Sequence, residues 1–194
     1  MDLAYLLKRR TTTAAAARRG ELAHPEYPIE QTVRGRDNAT KAELARFALR
    51  RTIDLHGAML AADDHGVRVL ARCEATLSGA VAPLTKLFAQ RIALRPPAVR
   101  YVPGNPVLEP YMFVLASGPQ RYLPLVRKDM SRRGGRFVHG VERGDTFRLE
   151  AEAPLAQLLG YGSWLAELTQ QEQPQASAWL SRYLPVDDDG PRAA

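Results

Sequence analysis

The chain has 194 residues, 45% of them hydrophobic, with a formal net charge of +6 and a pI of about 9.8. This apolar share is enough for packed cores and excludes wholesale disorder, and the length suits one ordinary domain or two small ones. The single cysteine, Cys73, excludes an intrachain disulfide and points to a reducing compartment. No apolar run is long enough for a transmembrane helix, and the first residues lack the apolar stretch of a secretory signal. The expectation is a cytoplasmic protein with no membrane partner. The positive balance favours anionic partners such as nucleic acid, although an arginine- and alanine-rich composition alone would produce it.

Residues 1–26 form a basic tail with Lys8-Arg9-Arg10 and Arg18-Arg19. A nucleic-acid-binding arm and a solvated extension both fit it. The first folded unit is expected over 27–102. Tyr27–Arg34 reads as a strand. Thr40-Lys41-Ala42-Glu43 reads as a capping box, in which the Thr hydroxyl and Glu carboxylate satisfy free amides at a helix start. Leu44, Phe47, Ala48 and Leu55 then share one helical face. A hairpin follows: Met59–Ala62, the turn Asp63-Asp64-His65-Gly66, and Val67–Cys73, with the glycine supplying a positive φ. Cys73 continues the alternation Val67, Val69, Ala71 and reads as a small core residue. Pro83 opens a second helix, and Pro97–Val102 closes the unit as a strand.

After the linker Pro103–Leu108, the same order is expected again over the second unit, 103–186. Tyr111–Ala116 is apolar at every position, as a strand covered on both faces or one with a solvent-facing apolar patch would be. Pro119 begins a helix that places Tyr122, Val126 and Met130 inward and ends at Gly134-Gly135. Arg136–Val141 and Thr146–Ala153 form a hairpin. Phe147, Leu149, Ala151 and Ala153 take one side of the second strand, and Thr146, Arg148, Glu150 and Glu152 the other. Pro154 leads into a helix carrying Leu155, Leu158, Leu159 and Leu165, and a last strand lies near Ser177–Leu184. Residues 187–194 read as a frayed acidic tail. The fold class is therefore α+β, two ferredoxin-like β-α-β-β-α-β sandwiches in tandem.

Catalytic and metal chemistry find little support in the residues. His24, His56, His65 and His139 have no metal-ligand spacing, and no Ser-His-Asp framework is visible. No G-x-x-x-x-G-K-[ST] exists, so no loop is built to cradle a nucleotide phosphate. The glycines of Gly160-Tyr161-Gly162 are expected to let a helix lie close on the sheet. No catalytic residue, metal site or cofactor is expected. The best physical candidate is a basic cluster of Arg127, Lys128, Arg132, Arg133, Arg136, Arg143 and Arg148. Helix end, glycine loop and hairpin tip can converge in this fold, and guanidinium groups bind phosphate bidentately. The competing reading is a solvated face of mixed charge.

The words LEPYMFV at 108–114, SRRGGRFVHGVERGD at 131–145 and EAEAPLAQLLGYGSWLAELTQ at 150–170 resemble domain V of the elongation factor G family. The opening Leu-Glu-Pro-Tyr is also similar to the related tetracycline-resistance ribosomal protection proteins. On fewer residues, Leu77-Ser78-Gly79 and Pro96–Tyr101, the first unit resembles domain III, although the Gly-Glu-Leu-His-Leu-Glu signature is missing. A shortened domain IV is the other candidate there. The family's Gly-Arg-Gly after Leu-Thr-Gln is replaced by Gln171-Glu172-Gln173-Pro174. The GTPase domain has no room here, and the family's tip domain between the two sandwiches is expected to be absent. The resemblance implies a ribosome-associated protein that is not an enzyme, with the basic cluster near ribosomal RNA in the factor-binding region, where it modulates translation or protects the ribosome. A protein-interaction module reusing the scaffold, or the C-terminal half of a split factor whose GTPase is a separate subunit, are the alternatives.

Overall fold

A computed structural model describes residues 24–50, 57–170, 172 and 174–186. The basic runs before residue 24, Leu55, His56, Gln171, Gln173 and Asp187-Asp188-Asp189 lie outside the described residues. The first unit comprises β1 (Ile29–Gly35), α1 (Asn38–Arg50), β2 (Ala58–Asp63), β3 (Gly66–Ala71), α2 (Glu74–Phe88), β4 (Ile92–Leu94) and β5 (Ala98–Val99). Its sheet runs β2-β3-β1-β4, with β5 also pairing β1. The second comprises β6 (Leu108–Pro119), α3 (Leu123–Arg132), β7 (Arg136–Arg143), β8 (Thr146–Pro154), α4 (Leu155–Leu158), α5 (Tyr161–Leu168) and β9 (Gln175–Pro185). Its sheet runs β7-β8-β6-β9. The two orders are the same, and every ladder is antiparallel. In each, the opening strand lies between the third and the last. This is the ferredoxin-like α+β sandwich, present twice.

Period-two patterning decides which face the helices cover. Phe147, Leu149, Ala151 and Ala153 of β8 are buried with Met112, Val114 and Ala116 of β6, beneath Val126 and Met130 of α3 and Leu165 of α5. In the first unit Ile29, Val33, Val67 and Val69 pack with Leu44 of α1 and Leu77, Leu84 and Phe88 of α2. Each such aliphatic or aromatic side chain contributes about 1.5–3 kcal/mol by leaving water. Phe47 and Phe88 meet edge to face, 6.2 Å between centroids, and tie α1 to α2.

Several local expectations are corrected. The cap of α1 is Asp37, not Thr40. Its carboxylate accepts the Thr40 amide at 2.7 Å and the Thr40 hydroxyl at 3.0 Å, and these two bonds, the amide first, hold it below the usual range. Glu43 instead pairs with Arg91 at 3.0 Å. Helix α2 begins at Glu74 rather than Pro83, which lies inside it. Cys73 is therefore the residue before that helix and not the end of a strand; its amide donates to the Thr76 hydroxyl at 3.2 Å. The sheet of the first unit gains β4 ahead of the expected closing strand, and of Pro97–Val102 only Ala98–Val99 pairs with β1, as β5. Pro119 ends β6, and α3 starts at Leu123 after one tight turn. The helix after Pro154 is broken into α4 and α5 at Gly160, whose φ is 76°. A Cβ at Gly160 or Gly162 would meet nothing within 4 Å. Gly160 is needed for its backbone conformation, not for close packing.

The chain closes on itself between the units. Val102 and Leu108 exchange two backbone hydrogen bonds, of 2.9 and 3.0 Å. Both carboxylate oxygens of Glu74, at the start of α2, accept the Gly160 amide, at 3.0 and 3.1 Å. At the far end, the Tyr183 hydroxyl donates to the Pro25 carbonyl at 3.0 Å, and burial pushes that phenol up to about 12.

Candidate nucleic-acid interface

Leu123, Val126 and Met130 take the buried stripe of α3, so Arg127, Lys128 and Arg132 are turned to solvent. Arg127 lies 3.9 Å from Glu142 of β7. Arg132 is exposed over 76% of its side chain and reaches Asp129 at 2.5 Å. Arg133 differs from both. Only 17% of its side chain is exposed. Its Nε donates to Asp129 at 2.6 Å and its Nη1 to the Gln157 carbonyl at 2.5 Å. The guanidinium also lies over the rings of Tyr161 and Trp164, 5.3 and 5.7 Å from their centroids. Arg133 therefore bolts α3 to α4 and α5 and offers no free fork to an outside phosphate.

Residues directly opposite in a sheet share a face. Arg136 pairs with Glu152, Val141 with Arg148, and Arg143 with Thr146. The intervening residues of β8 point into the core, so Arg136, Arg143 and Arg148 lie on the face that carries no helix. The sheet thus divides the expected cluster. Arg127, Lys128 and Arg132 stand on the helix side, and the three hairpin arginines stand on the open side. The hairpin's parity, with a register shift between Phe137 and His139, decides this division.

On the open face Glu152 is a hub. Its Oε1 accepts the Ser181 hydroxyl at 2.6 Å, and its Oε2 accepts Arg136 at 2.8 Å and Arg182 at 2.6 Å. The Ser181 bond first and the Arg136 bond next hold this carboxyl below its ordinary range. A depressed carboxylate pKa adds stability that is complete above the unfolded value, about 4.3, and is lost as pH falls through the folded value. Urea melts should therefore show wild type more stable than Glu152→Gln by a constant margin above about pH 5, closing below about pH 4. A margin independent of pH would mean that the charge of Glu152 contributes nothing. Arg148 pairs with Glu150 at 3.1 Å on the same face.

The open face also carries rings. Phe113 of β6 and Trp179 of β9 are opposite each other and stacked, 4.8 Å between centroids at 30°. Trp179 is 48% exposed, and Tyr111, Phe113 and Leu115 are half-buried. Of the two readings open for Tyr111–Ala116, the structure supports the one with a solvent-facing side. Trp179 and Arg182 escaped the sequence reading because nothing in β9 alone reveals its register against β6. Alternate aromatics at 111 and 113 were the available signal. Among the described residues no group of three His, Cys, Asp or Glu could hold a metal ion, and no helix is long and apolar enough to cross a membrane.

Residues 106–191 match the family model described as elongation factor G C-terminus. The second domain is similar to the C-terminal domain of elongation factor G. Elongation factor G 2 of Anaeromyxobacter dehalogenans is 35% identical over 80 residues, 41% of this chain and 11% of that protein. Elongation factor G 1 of Desulfotalea psychrophila is 35% identical over 71 residues, 36% of this chain and 10% of the relative. Elongation factor 2 of Pyrococcus horikoshii is 33% identical over 67 residues, 34% and 9% respectively. The match thus spans about a tenth of the length of these curated relatives. It bears out the resemblance to elongation factor G drawn on the words at 108–114, 131–145 and 150–170. In the elongation-factor-like domain those words open β6, end α3 and carry the hairpin, and run through α4 and α5.

Proposed function

We propose that this protein is a non-catalytic, translation-factor-related protein that binds the ribosome through ribosomal RNA in the factor-binding region, and thereby modulates translation or protects the ribosome. The observation that carries this reading is the solvent-facing basic row Arg127, Lys128 and Arg132 on α3 of a domain matching the elongation factor G C-terminus. Exposed guanidinium and ammonium groups attract phosphate regardless of base sequence. Co-sedimentation with ribosomes tests it. The complex should weaken steeply between 50 and 200 mM salt, roughly tenfold or more. Lys128→Glu with Arg132→Glu should lower affinity by a further factor of about ten and flatten the salt dependence. Absence of binding at low salt, or unchanged affinity in the double variant, would reject this site. Arg133 is left out of the variant because its partners are inside the domain.

One observation favours a second reading, a protein-interaction module. Edge strand β7 is exposed along its whole length, with Phe137 at 41%, Val138 at 50% and Val141 at 42%. An open edge with exposed apolar side chains can pair with a strand of a partner, such as a separate GTPase subunit. A stable complex free of RNA would favour this reading over the first.

A further inference from the structure

We infer that the open face of the second sheet binds single-stranded RNA, with unpaired bases stacked on Trp179 and Phe113 and phosphates held by Arg136, Arg148 and Arg182. It deepens the ribosome-binding reading, on which it rests only for the choice of RNA over DNA, and it uses the face opposite Lys128 and Arg132. Three observations converge. First, the sheet presents rings to solvent instead of covering them. Trp179 and Phe113 form a stacked pair at the middle of β6 and β9, with Tyr111 one step along on the same side. An antiparallel four-stranded sheet with half-exposed aromatics on adjacent strands is a base-stacking platform, with room for two or three nucleotides.

Second, the charge around the rings is in surplus. Arg136 and Arg182 share one carboxylate oxygen of Glu152, and Ser181 occupies the other oxygen. One carboxylate therefore faces two guanidinium groups, and one positive charge is left over beside the rings. Arg148 and Glu150 balance each other, and Arg143 shares the hairpin tip with Asp145. Third, these cations remain reachable. The side chains are 71% exposed at Arg136, 61% at Arg148 and 47% at Arg182. A phosphate can bind their outer N–H groups without breaking the pairs to Glu152 and Glu150. Covering the same face with protein would strip water from three arginines with two carboxylates to match them. A duplex conceals its base faces, so the rings select unpaired nucleotides.

The experiment titrates the full chain with a fluorescein-labelled single-stranded RNA of ten nucleotides at low salt. Label anisotropy and intrinsic tryptophan emission are read together. The chain has two tryptophans, and Trp164 is covered by Tyr161 and Arg133, so Trp179 dominates the quenching. Wild type should bind with saturable quenching. Trp179→Ala should bind about ten- to a hundredfold more weakly and lose the quenching, whereas Trp179→Phe retains most of the affinity. Arg148→Glu, at an exposed position that leaves the core intact, should weaken binding and lower the salt slope by about one. The same RNA as a duplex should compete poorly. Equal affinity of Trp179→Ala and wild type overturns the inference. So does no binding by folded wild type, equal competition by the duplex, tighter binding of the same sequence as DNA, or a self-associated protein that excludes RNA. Oligonucleotide binding that depends on Trp179, without ribosome co-sedimentation, would leave the platform standing and remove the ribosome. Co-sedimentation without oligonucleotide binding would do the reverse.

Discussion

Replacing Arg133 by alanine should lower the stability of the second domain by about 3 kcal/mol, whereas replacing the adjacent Arg132 should cost less than about 1 kcal/mol. The two neighbours share a partner, Asp129, yet sit in different dielectrics. Arg132 is 76% exposed, and its attraction to Asp129 is screened by water. Arg133 is 17% exposed and Asp129 is 5% exposed, so truncation leaves a buried carboxylate with only its outer arginine. It also strands the Gln157 carbonyl and removes the cation over Tyr161 and Trp164. Lysine at 133 should recover little, because a single ammonium cannot serve Asp129, Gln157 and the rings at once. Urea or thermal unfolding decides it; the loss corresponds to a fall in Tm of more than about 10 °C for a domain of this size. Equal effects at 132 and 133 would mean that both arginines are equally solvated.

The other large effect belongs to Gly66. Its φ is 145°, and a Cβ there would lie 2.3 Å from the Val33 carbonyl oxygen and 3.1 Å from Leu44 Cδ1. The first of these atoms belongs to the backbone of the central strand, paired with β3 and β4 at once. It cannot move without dragging the sheet. Gly66→Ala should therefore destabilise the first domain by about 3 kcal/mol or more, combining backbone strain with overpacking. Gly79 is the internal control. It lies in α2 with nothing within 4 Å of its Cβ position, so Gly79→Ala should stabilise by up to about 1 kcal/mol. Denaturation of both variants by urea checks the pair. Comparable losses at 66 and 79 would remove the steric explanation.

These contrasts show where one-dimensional reading succeeds and where it stops. The alternation from Phe147 to Ala153 assigned the buried face of β8 correctly, because a strand with one covered face has to write its period into its sequence. The hairpin about Gly144-Asp145 and the element order followed from turn chemistry. The start of α2 did not, because Ser78, Gly79 and Pro83 argue locally against a helix, and packing of Leu77, Val81 and Leu84 overrides them. The basic cluster was legible as composition but not as a surface. Whether Arg133 turns inward depends on Asp129, Gln157 and Trp164 meeting from three elements, and whether Arg136 shares a face with Trp179 depends on registers of β7, β8 and β9. The same limit hid the stacked pair, whose rings are 66 positions apart by their numbers in the chain.

The pair of hydrogen bonds between Val102 and Leu108 has a consequence for how such a chain changes over evolutionary time. The backbone leaves the first sandwich and enters the second at neighbouring points, so the intervening turn spans no distance. A folded segment spliced in at this gate, or excised from it, would leave both sheets and the Glu74–Gly160 clamp in register. Loss or gain of a whole module between the two sandwiches is then a change in cargo and not in architecture.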